Sequence, residues 1–355
     1  MILNNKKFIS NEKYYDFNDV LILPKSSKLN SRSEVKLEKT FVFKNNITWT
    51  GIPIIAANMT SVGTLEVYNT LSKYKIITAL HKFYKLKDLI EYKKNTKLNS
   101  DYFMISTGIS DSDYNNLVTI LENKEFEVKF ICIDVANGYI ENLKEFCKKV
   151  RQNFPNKVIV AGNITTKEGV LDLISCGVDI IKAGIGGGSS CTTRIQTGVG
   201  MPQLSCVLEC SEGVKNSGSY LISDGGITCP GDLAKAFGGG ADFVMIGGAF
   251  AAHDENPGEL IIDEKTGEKF KFFYGMSSSY AMKNNYATNS NTHYRSSEGR
   301  EIKIKYKGSL DTSVHNYLGG LRSTCTYTNS ANIQELSQNC KFILVNNQFN
   351  SSLVK

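Results

Sequence analysis

One repeating pattern dominates the middle of this sequence and limits the folds that it can adopt. Short runs rich in Ile, Val and Phe recur eight times, and a longer stretch with helical spacing separates most neighbouring runs. Almost wholly apolar runs are typical of parallel strands that are buried on both faces. The runs are Ile52–Asn58, Ile76–His81, Tyr102–Thr107, Phe130–Val135, Val158–Asn163, Ile180–Ile185, Tyr220–Asp224 and Phe243–Gly247.

Eight strand–helix units in succession predict an α/β fold, a closed (β/α)8 TIM barrel. An open doubly wound sheet is the alternative, but no dinucleotide-binding glycine fingerprint follows the first strand. We therefore predict one domain over residues 1–355. It comprises an N-terminal extension (1–51), the barrel core (52–248) and a C-terminal part (249–355) with hairpin, flap and closing segment.

The intervals between the runs carry signals for helix starts. Thr165, followed three residues later by Glu168, predicts a capping box, and Asp111 is a candidate N-cap for the helix after the third strand. Pro230 is placed where the first turn of another helix is expected.

The pattern changes after residue 248. The runs Glu259–Ile262 and Lys269–Phe273 flank the turn-like segment Asp263–Gly267 and predict a hairpin. Residues 302–306 alternate in a strand-like manner. Between them, the polar stretch Ser277–Arg300 is either a flap or a plain surface loop, and composition does not decide between these.

Composition excludes several classes of protein. The chain has 41 basic and 35 acidic residues, which suits an anionic small molecule but lacks the basic stripe of a nucleic-acid binder. No apolar run approaches the roughly 18 residues that a membrane helix needs. Nine scattered cysteines, without a signal-peptide pattern, predict reduced thiols in the cytoplasm. Four distant histidines make a structural zinc site unexpected.

The sixth strand leads into the most informative segment, GIGGGSSCTTR at residues 184–194. Small residues at positions 186–190 bring main-chain groups together, and the thiol of Cys191 follows at once. A glycine loop of this kind lets a nucleophile approach a ligand without obstruction. A Gly-rich turn with an inert cysteine is the alternative.

Two glycine pairs follow the last two strands, Gly225–Gly226 and Gly247–Gly248. Barrels commonly bind phosphate at this position through main-chain amides. Asp224 is a candidate acceptor for a ribose diol, and Lys82 and Asp134 are candidates for placing charge near the reaction. Each of these side chains, taken alone, is also compatible with an ordinary surface or capping role.

Together these sequence motifs resemble those of the IMP dehydrogenase/GMP reductase superfamily. The matching stretches extend over roughly residues 14–345 and include DFNDVLILPK (16–25), CIDVANGY (132–139), CTTR (191–194), TGVGMPQLS (197–205), SDGG (223–226) and LGGLRSTCTY (318–327). The chain is most similar to the GMP reductase branch. Only about fifty residues separate Lys82 from Asp134, which leaves no room for an inserted pair of CBS modules, and the flap word YRSSEG carries the acid Glu298.

The resemblance implies reductive deamination of GMP to IMP and ammonia by NADPH, through a covalent thioimidate on Cys191. Thr193 and Glu298 would relay protons to the departing amine, while Lys82 and Asp134 would assist. The remaining substrate-binding residues that it implies are Asp224, Gly225, Gly226, Gly247, Gly248, Gly275, Met276, Ser277, Arg295, Ser296, Ser297 and Gly299.

The same resemblance implies sites for the dinucleotide and for a monovalent cation. The cofactor residues are Ser31, Arg32, Lys82, Asp134, Val135, Ala136, Ile185, Gly186, Ser323, Thr324, Cys325 and Thr326, some of them contributed across a subunit boundary. A potassium ion would lie at Gly186, Gly188, Cys191 and Arg194. The family relationship also implies a homotetramer, with GMP as the small-molecule partner and no nucleic acid or membrane.

This sequence departs from the family pattern at several positions. Gly187 and Ser190 stand where the family has Pro and Val, which predicts a looser cysteine loop because Pro and β-branched residues are stiff. Thr60 replaces an Asp, and Phe83 a His. Three rival functions remain: an IMP dehydrogenase without CBS modules, a non-catalytic purine-nucleotide-binding barrel and a flavin-dependent barrel.

Overall fold

A computed structural model describes residues 10–278 and 297–345 of the chain. Its strands are β1 (Val20–Ile22), β2 (Lys39–Val42), β3 (Thr48–Gly51), β4 (Ile54–Ala56), β5 (Ile77–Leu80), β6 (Phe103–Thr107), β7 (Phe130–Asp134), β8 (Val158–Ile164), β9 (Ile180–Ala183), β10 (Tyr220–Asp224), β11 (Phe243–Ile246), β12 (Ile261–Ile262), β13 (Lys269–Tyr274), β14 (Glu301–Lys305) and β15 (Phe342–Leu344).

Its α-helices alternate with the strands through most of the chain. They are α1 (Leu65–Leu71), α2 (Leu86–Asn95), α3 (Asp111–Leu121), α4 (Glu141–Asn153), α5 (Lys167–Ser175), α6 (Thr193–Thr197), α7 (Gln203–Val214), α8 (Pro230–Gly238), α9 (Leu310–Tyr327) and α10 (Ile333–Asn339).

Strands β4 to β11 form a closed parallel barrel in chain order, and β11 pairs with β4 to complete the ring. The predicted (β/α)8 barrel and all eight predicted strands are therefore confirmed. The observed strands are shorter than some of the predicted runs, since the ends of those runs lie beyond the last ladder hydrogen bond. That the whole chain forms one domain stays a prediction.

The barrel strands are buried on both faces, which explains their continuous apolar runs. One face packs on the surrounding helices, and the other fills the interior of the barrel. The hairpin of β2 and β3 inserts aromatic side chains into this interior core. Phe41 and Trp49 are fully buried, and the rings of Phe41 and Phe243 stack at 4.3 Å. Burying each such ring contributes roughly 2–3 kcal/mol.

Two of the predicted helix caps are wrong by one residue. The N-cap of α5 is Thr166, whose side chain accepts from the Gly169 amide, and the N-cap of α3 is Ser110. In each case the residue whose oxygen reaches the amide three positions later is the neighbour of the predicted one. Pro230 opens α8, as predicted.

The C-terminal part packs on the barrel and pairs with the N-terminal extension. Strands β12, β13 and β14 form an antiparallel sheet, which confirms the hairpin and the further strand. Helix α9 packs against α8, and β15 pairs with β1 in an antiparallel manner. The residues before β1 approach the loop after β10, since a Cβ atom on Gly226 would lie 3.2 Å from Phe17 Cε2.

No helix in the described ranges combines the length and the apolar character that crossing a bilayer requires.

Candidate active site

Two adjoining cavities open at the carboxyl ends of the barrel strands, where barrel enzymes carry their active sites. The larger has a volume of about 270 Å³ and the smaller about 70 Å³. The Cys191 loop, polar strand ends and both ends of the polar stretch Ser277–Arg300 line the larger cavity. The smaller cavity is lined by both predicted glycine pairs. The two cavities share part of their wall, including Asp224 and Ser190.

Three side chains in the wall of the larger cavity form a hydrogen-bonded chain. The Cys191 thiol donates to Thr193 Oγ1 over 3.1 Å, and the Thr193 hydroxyl donates to Glu298 Oε2 over 2.8 Å. Cys191 is partly exposed to the cavity. A carboxylate that reaches a thiol through one hydroxyl provides a path by which the thiol can lose its proton and become nucleophilic.

Main-chain pairing places Glu298 opposite the cysteine loop. Cys191 and Gly299 form an antiparallel bridge. The Thr192 amide donates to the Glu298 carbonyl at 2.8 Å, and the Arg300 amide donates to the Ser190 carbonyl at 2.9 Å. The end of the flap therefore continues the sheet of β13 and β14 onto the cysteine loop, and the glutamate is held without relying on its own side chain.

Charged side chains that point from the strand ends form the floor of the larger cavity. The buried Lys182 ammonium contacts Asp134 Oδ1 and lies 3.3 Å from Asp224 Oδ2. The Asn58 amide donates to Asp134 Oδ2 at 3.0 Å, and the Asn163 amide donates to Asp224 Oδ2 at 2.8 Å. The floor is thus one network of two carboxylates, one ammonium and two amides.

The pKa values in this floor follow from burial and from the ion pairs. Burial by itself would raise the pKa of Asp134, but the Lys182 ammonium and the hydrogen bonds from Lys182 and Asn58 outweigh it, so this pKa is lowered. Burial would lower the pKa of Lys182, and the two carboxylates raise it above its ordinary value instead. Asp134 and Lys182 are therefore both ionised at neutral pH.

The smaller cavity has the form of a phosphate cradle. Gly225 and Gly226 have φ angles of 109° and 79°, a region that favours glycine. A Cβ atom on Gly225 would lie 3.2 Å from the main chain of Gly187 and Gly188, and one on Gly248 would lie 2.6 Å from Ser189 Oγ. Glycine keeps this space open, so main-chain amides can approach an anion.

Arg194 holds the cysteine loop from outside the cavity. Its guanidinium donates to Asp16 Oδ2 at 3.0 Å and to the Met201 carbonyl at 2.6 Å. Its side chain packs so closely under Gly186 that a Cβ atom there would lie 2.6 Å from Arg194 Cγ. The N-terminal segment, through Asp16, therefore buttresses the loop that carries Cys191.

Thr60, one of the departures from the family pattern, contacts the residues at and just after the end of β13. Its hydroxyl donates to the Tyr274 hydroxyl at 3.2 Å, and its amide lies 3.3 Å from the Met276 sulfur. The missing carboxylate at this position is thus replaced by contacts between the loop after β4 and the residues that follow β13.

Most of the predicted site residues lie together in the two cavities. Those that line the larger one are Asp134, Val135, Ala136, Ile185, Gly186, Gly188, Cys191, Thr193, Asp224, Gly275, Met276, Ser277, Glu298 and Gly299. Those that line the smaller one include Gly225, Gly226, Gly247 and Gly248. The residues that line the two cavities come from the carboxyl ends of six barrel strands, β4 and β7 to β11, which lie far apart in sequence.

Other predicted residues do not line either cavity. The Ser297 hydroxyl instead contacts the Ser277 and Gly299 carbonyls, beside the larger one. The side chain of Lys82 follows β5 and comes close to Gly108. Arg295 and Ser296 lie outside the described residues.

The predicted cofactor residues Ser31, Arg32 and 323–326 form a separate group. Helix α9, which carries residues 323–326, packs against the short turn Arg32–Glu34, so these segments are neighbours. None of these residues lines the cavity that holds Cys191, and α9 packs against the helices α8 and α1. Their role in binding a dinucleotide stays a prediction.

Sequence reasoning missed two residues that the site uses. Lys182 was part of the predicted sixth strand but received no role, although a lysine within the apolar run IIKAGI is itself a signal that needs an explanation. Asp16 gave no signal, since its contact with Arg194 depends on a segment 178 residues away in sequence.

Comparisons with known proteins show which family this chain matches. The model of the IMP dehydrogenase / GMP reductase domain matches residues 14–351. The chain is 50% identical over 337 residues to GMP reductase 1 of Rattus norvegicus, which covers 95% of this chain and 96% of the relative. It is 50% identical to GMP reductase 2 of Homo sapiens (96% and 97% covered) and 49% identical to GMP reductase of Yersinia pestis (strain Pestoides F) (94% and 95%).

Proposed function

This chain belongs to the IMP dehydrogenase/GMP reductase family, and from that premise we propose that it catalyses the reductive deamination of GMP to IMP and ammonia by NADPH. The observation that carries the proposal is the hydrogen-bonded chain from Cys191 through Thr193 to Glu298 in the wall of the cavity. It joins a nucleophile to an acid–base group that can also serve a departing amine.

The first half of the reaction uses these three side chains. Cys191 loses its proton through Thr193 to Glu298, and its sulfur forms a bond to C2 of the purine. The same proton passes from Glu298 to the amine on C2, the carbon–nitrogen bond breaks, and ammonia leaves. The product of this half is a thioimidate between Cys191 and the purine, with all atoms of the thiol and the amine accounted for.

The second half removes the sulfur. When bound, the nicotinamide of NADPH supplies a hydride to C2. The bond between Cys191 Sγ and C2 breaks, the sulfur leaves as a thiolate, and it regains a proton from solvent. Because Glu298 is held by main-chain pairing, it stays beside Thr193 through both halves.

The two cavities divide the binding of GMP between them. Asp224 accepts hydrogen bonds from the ribose with the carboxylate oxygen that Lys182 and Asn163 do not use. The glycine pairs after β10 and β11 hold the phosphate in the smaller cavity. Residues Gly275–Ser277 cover the base, and Arg295 and Ser296 would also contact it.

The residues beside Asp134 fit a nicotinamide ring. Val135, Ala136, Ile185 and Gly186 line the side of the larger cavity next to Cys191 with small or apolar surface, as a flat ring requires. Lys82 lies close enough to lower the pKa of Asp134 and would assist on this side. Ser31, Arg32 and residues 323–326 would hold the remainder of the dinucleotide in a homotetramer.

A monovalent cation and a cytoplasmic location complete the proposal. The carbonyls of Gly186, Gly188, Cys191 and Arg194 would bind K⁺. All nine cysteines are free thiols in the structure, which supports a reducing compartment.

The decisive experiment supplies purified protein with GMP and NADPH and follows cofactor oxidation together with ammonia release. A matched reaction contains IMP and NAD. We expect one ammonia for each NADPH oxidised in the first reaction and little turnover in the second. Turnover only with IMP and NAD would make the chain a dehydrogenase, and GMP binding without turnover would leave a nucleotide-binding barrel.

A further inference from the structure

Lys182 has a position that ordinary packing does not explain. It is 1% exposed and lies on the interior face of β9, the face that it shares with the apolar Ile180. Burying a charged ammonium is costly unless opposite charges and hydrogen bonds surround it. A lysine at this depth therefore needs a reason.

The register of three neighbouring strands explains how the Lys182 side chain reaches Asp134. Asp134 on β7 is opposite Gly162 on β8, and Gly162 is opposite Lys182 on β9, so the three residues form one layer of the barrel. A Cβ atom on Gly162 would lie 2.6 Å from Lys182 Cβ. The glycine leaves the space through which Lys182 crosses a whole strand to reach Asp134.

The same ammonium also reaches the other side of the site. Asp224, at the end of the neighbouring β10, lies 3.3 Å from it. Asp134 borders the part of the cavity proposed for the nicotinamide, and Asp224 borders the phosphate cradle proposed for GMP. Lys182 is therefore the one cation among the described residues that contacts both carboxylates.

We propose that Lys182 is a positioning residue that fixes Asp134 and Asp224 together, so that the cofactor side and the nucleotide side of the site are held by one buried ammonium. This inference rests on the proposed function for the identity of the two ligands, although the network itself does not. Lys182 acts through the two aspartates and need not touch either ligand.

Two other titratable groups, Lys82 and Cys132, lie near this network of carboxylates. Lys82 acts on Asp134 from the end of β5, and the Cys132 thiol lies below Lys182 on β7, where burial raises its pKa to about 12. Neither bridges the two carboxylates. Removal of Lys182 therefore leaves Asp134 with burial as the dominant influence, which favours its protonated form.

The test is the substitution Lys182→Met in the full chain. We expect KM to rise for GMP and for NADPH together, each by about 10- to 100-fold, the range for losing hydrogen bonds to charged groups. The acidic limb of the pH profile of kcat/KM should move to higher pH. Lys182→Arg, which keeps the charge, should restore part of both effects.

A matched control is Lys271→Met. Lys271 is also buried, but it donates to the His253 and Asn256 carbonyls, away from the two aspartates. This variant should lower thermal stability and leave the pH profile in place. If Lys182→Met also changed stability alone, or raised only one of the two KM values, the inference would be overturned.

Two further measurements test the inference without enzyme kinetics. The first uses a second variant in case Lys182→Met folds poorly, and the second does not depend on which reaction the chain catalyses. The double variant Lys182→Met with Asp134→Asn keeps the net charge of the network, and it should bind GMP more weakly in calorimetry than Asp134→Asn alone. NMR titration of the Asp134 carboxyl, without any ligand, should show it protonating at higher pH in Lys182→Met than in the parent protein, because the ammonium that favours its ionised form is gone. An unchanged Asp134 titration would refute the inference whatever reaction the wild-type chain catalyses.

Discussion

The floor and the wall of the active site are built in different ways. In the floor, side chains bond to side chains, since Asp134, Lys182 and Asp224 all project from barrel strands. In the wall, main chain pairs with main chain, through the bridge between Cys191 and Gly299. The floor is fixed by a closed ring of strands, whereas the wall is assembled from two loops that lie about a hundred residues apart in the sequence.

This difference separates binding from chemistry. Charged side chains on rigid strands hold the same positions before and after a nucleotide or a cofactor binds. The electrostatic field of the site is therefore already in place, as preorganised binding requires. The reacting groups are on loops whose backbones hold each other, so that a side chain can be exchanged with little change in the loop path. Substitutions in the wall should therefore lower turnover, and substitutions in the floor should weaken binding.

The largest effect is expected in the wall, at Cys191. Cys191→Ala removes the sulfur that forms the covalent bond, and we expect turnover to fall by about 10⁴-fold or more. GMP binding, measured by calorimetry, should stay near that of the parent protein because the floor is untouched. The exposed cysteine variant Cys229→Ala is the control and should keep full activity. Turnover that survived in Cys191→Ala would remove the nucleophile from the mechanism.

The second effect concerns the proton path. Glu298→Gln keeps the main-chain pairing but cannot exchange a proton with Thr193, so ammonia release should slow by about 10²- to 10⁴-fold. Single-turnover ammonia release and GMP calorimetry measure the two properties separately. Glu301→Gln, on an exposed residue of the adjoining β14, should behave as the parent. A near-parental rate in Glu298→Gln would show that another group delivers the proton.

A smaller effect is expected from neutralising one carboxylate in the floor of the site. Asp224→Asn keeps the shape but removes the charge that faces Lys182 and the ribose, so KM for GMP should rise by about 10- to 100-fold. KM for NADPH should change much less, unlike in Lys182→Met. The exposed Asp172→Asn provides the control. A fall in kcat at an unchanged KM would contradict the division between floor and wall.

The smallest effect is expected outside the site, at the buttress of the cysteine loop. Asp16→Asn weakens the partly exposed ion pair with Arg194, and such pairs contribute little, so kcat should fall only about two- to fivefold. Glu38→Gln breaks an exposed ion pair with Lys75 far from the loop and serves as the control. Equal rates in both variants would mean that the loop keeps its place without Asp16.

The sequence predicted the barrel well because its strands have no solvent-facing side. Runs such as Val158–Asn163 and Phe243–Gly247 are almost wholly apolar, and the observed strands end within one residue of them. Helix starts were less certain, since Thr165 and Thr166 are equally good caps in composition and only geometry selects the second.

The sequence also indicated much of the site, for a local reason. Glycines must stand where a chain turns closely around a ligand, so the cysteine loop and the two glycine pairs are visible without a structure. Lys182 and Asp16 were different. Lys182 reaches Asp134 only because Gly162 lies opposite it in the strand register. Asp16 contributes to the site only through its ion pair with the distant Arg194.

By itself, then, the sequence determined the eightfold ring of strands and the glycine-rich segments at its mouth, because burial and backbone geometry leave marks at neighbouring positions. Only the tertiary structure decided which charges meet. Asp134, Lys182 and Asp224 come from three different strands, and Cys191 and Glu298 come from two different loops. Such residues are distant in the sequence and become neighbours only when the chain folds, so the spacing of residues along the chain does not predict their contacts.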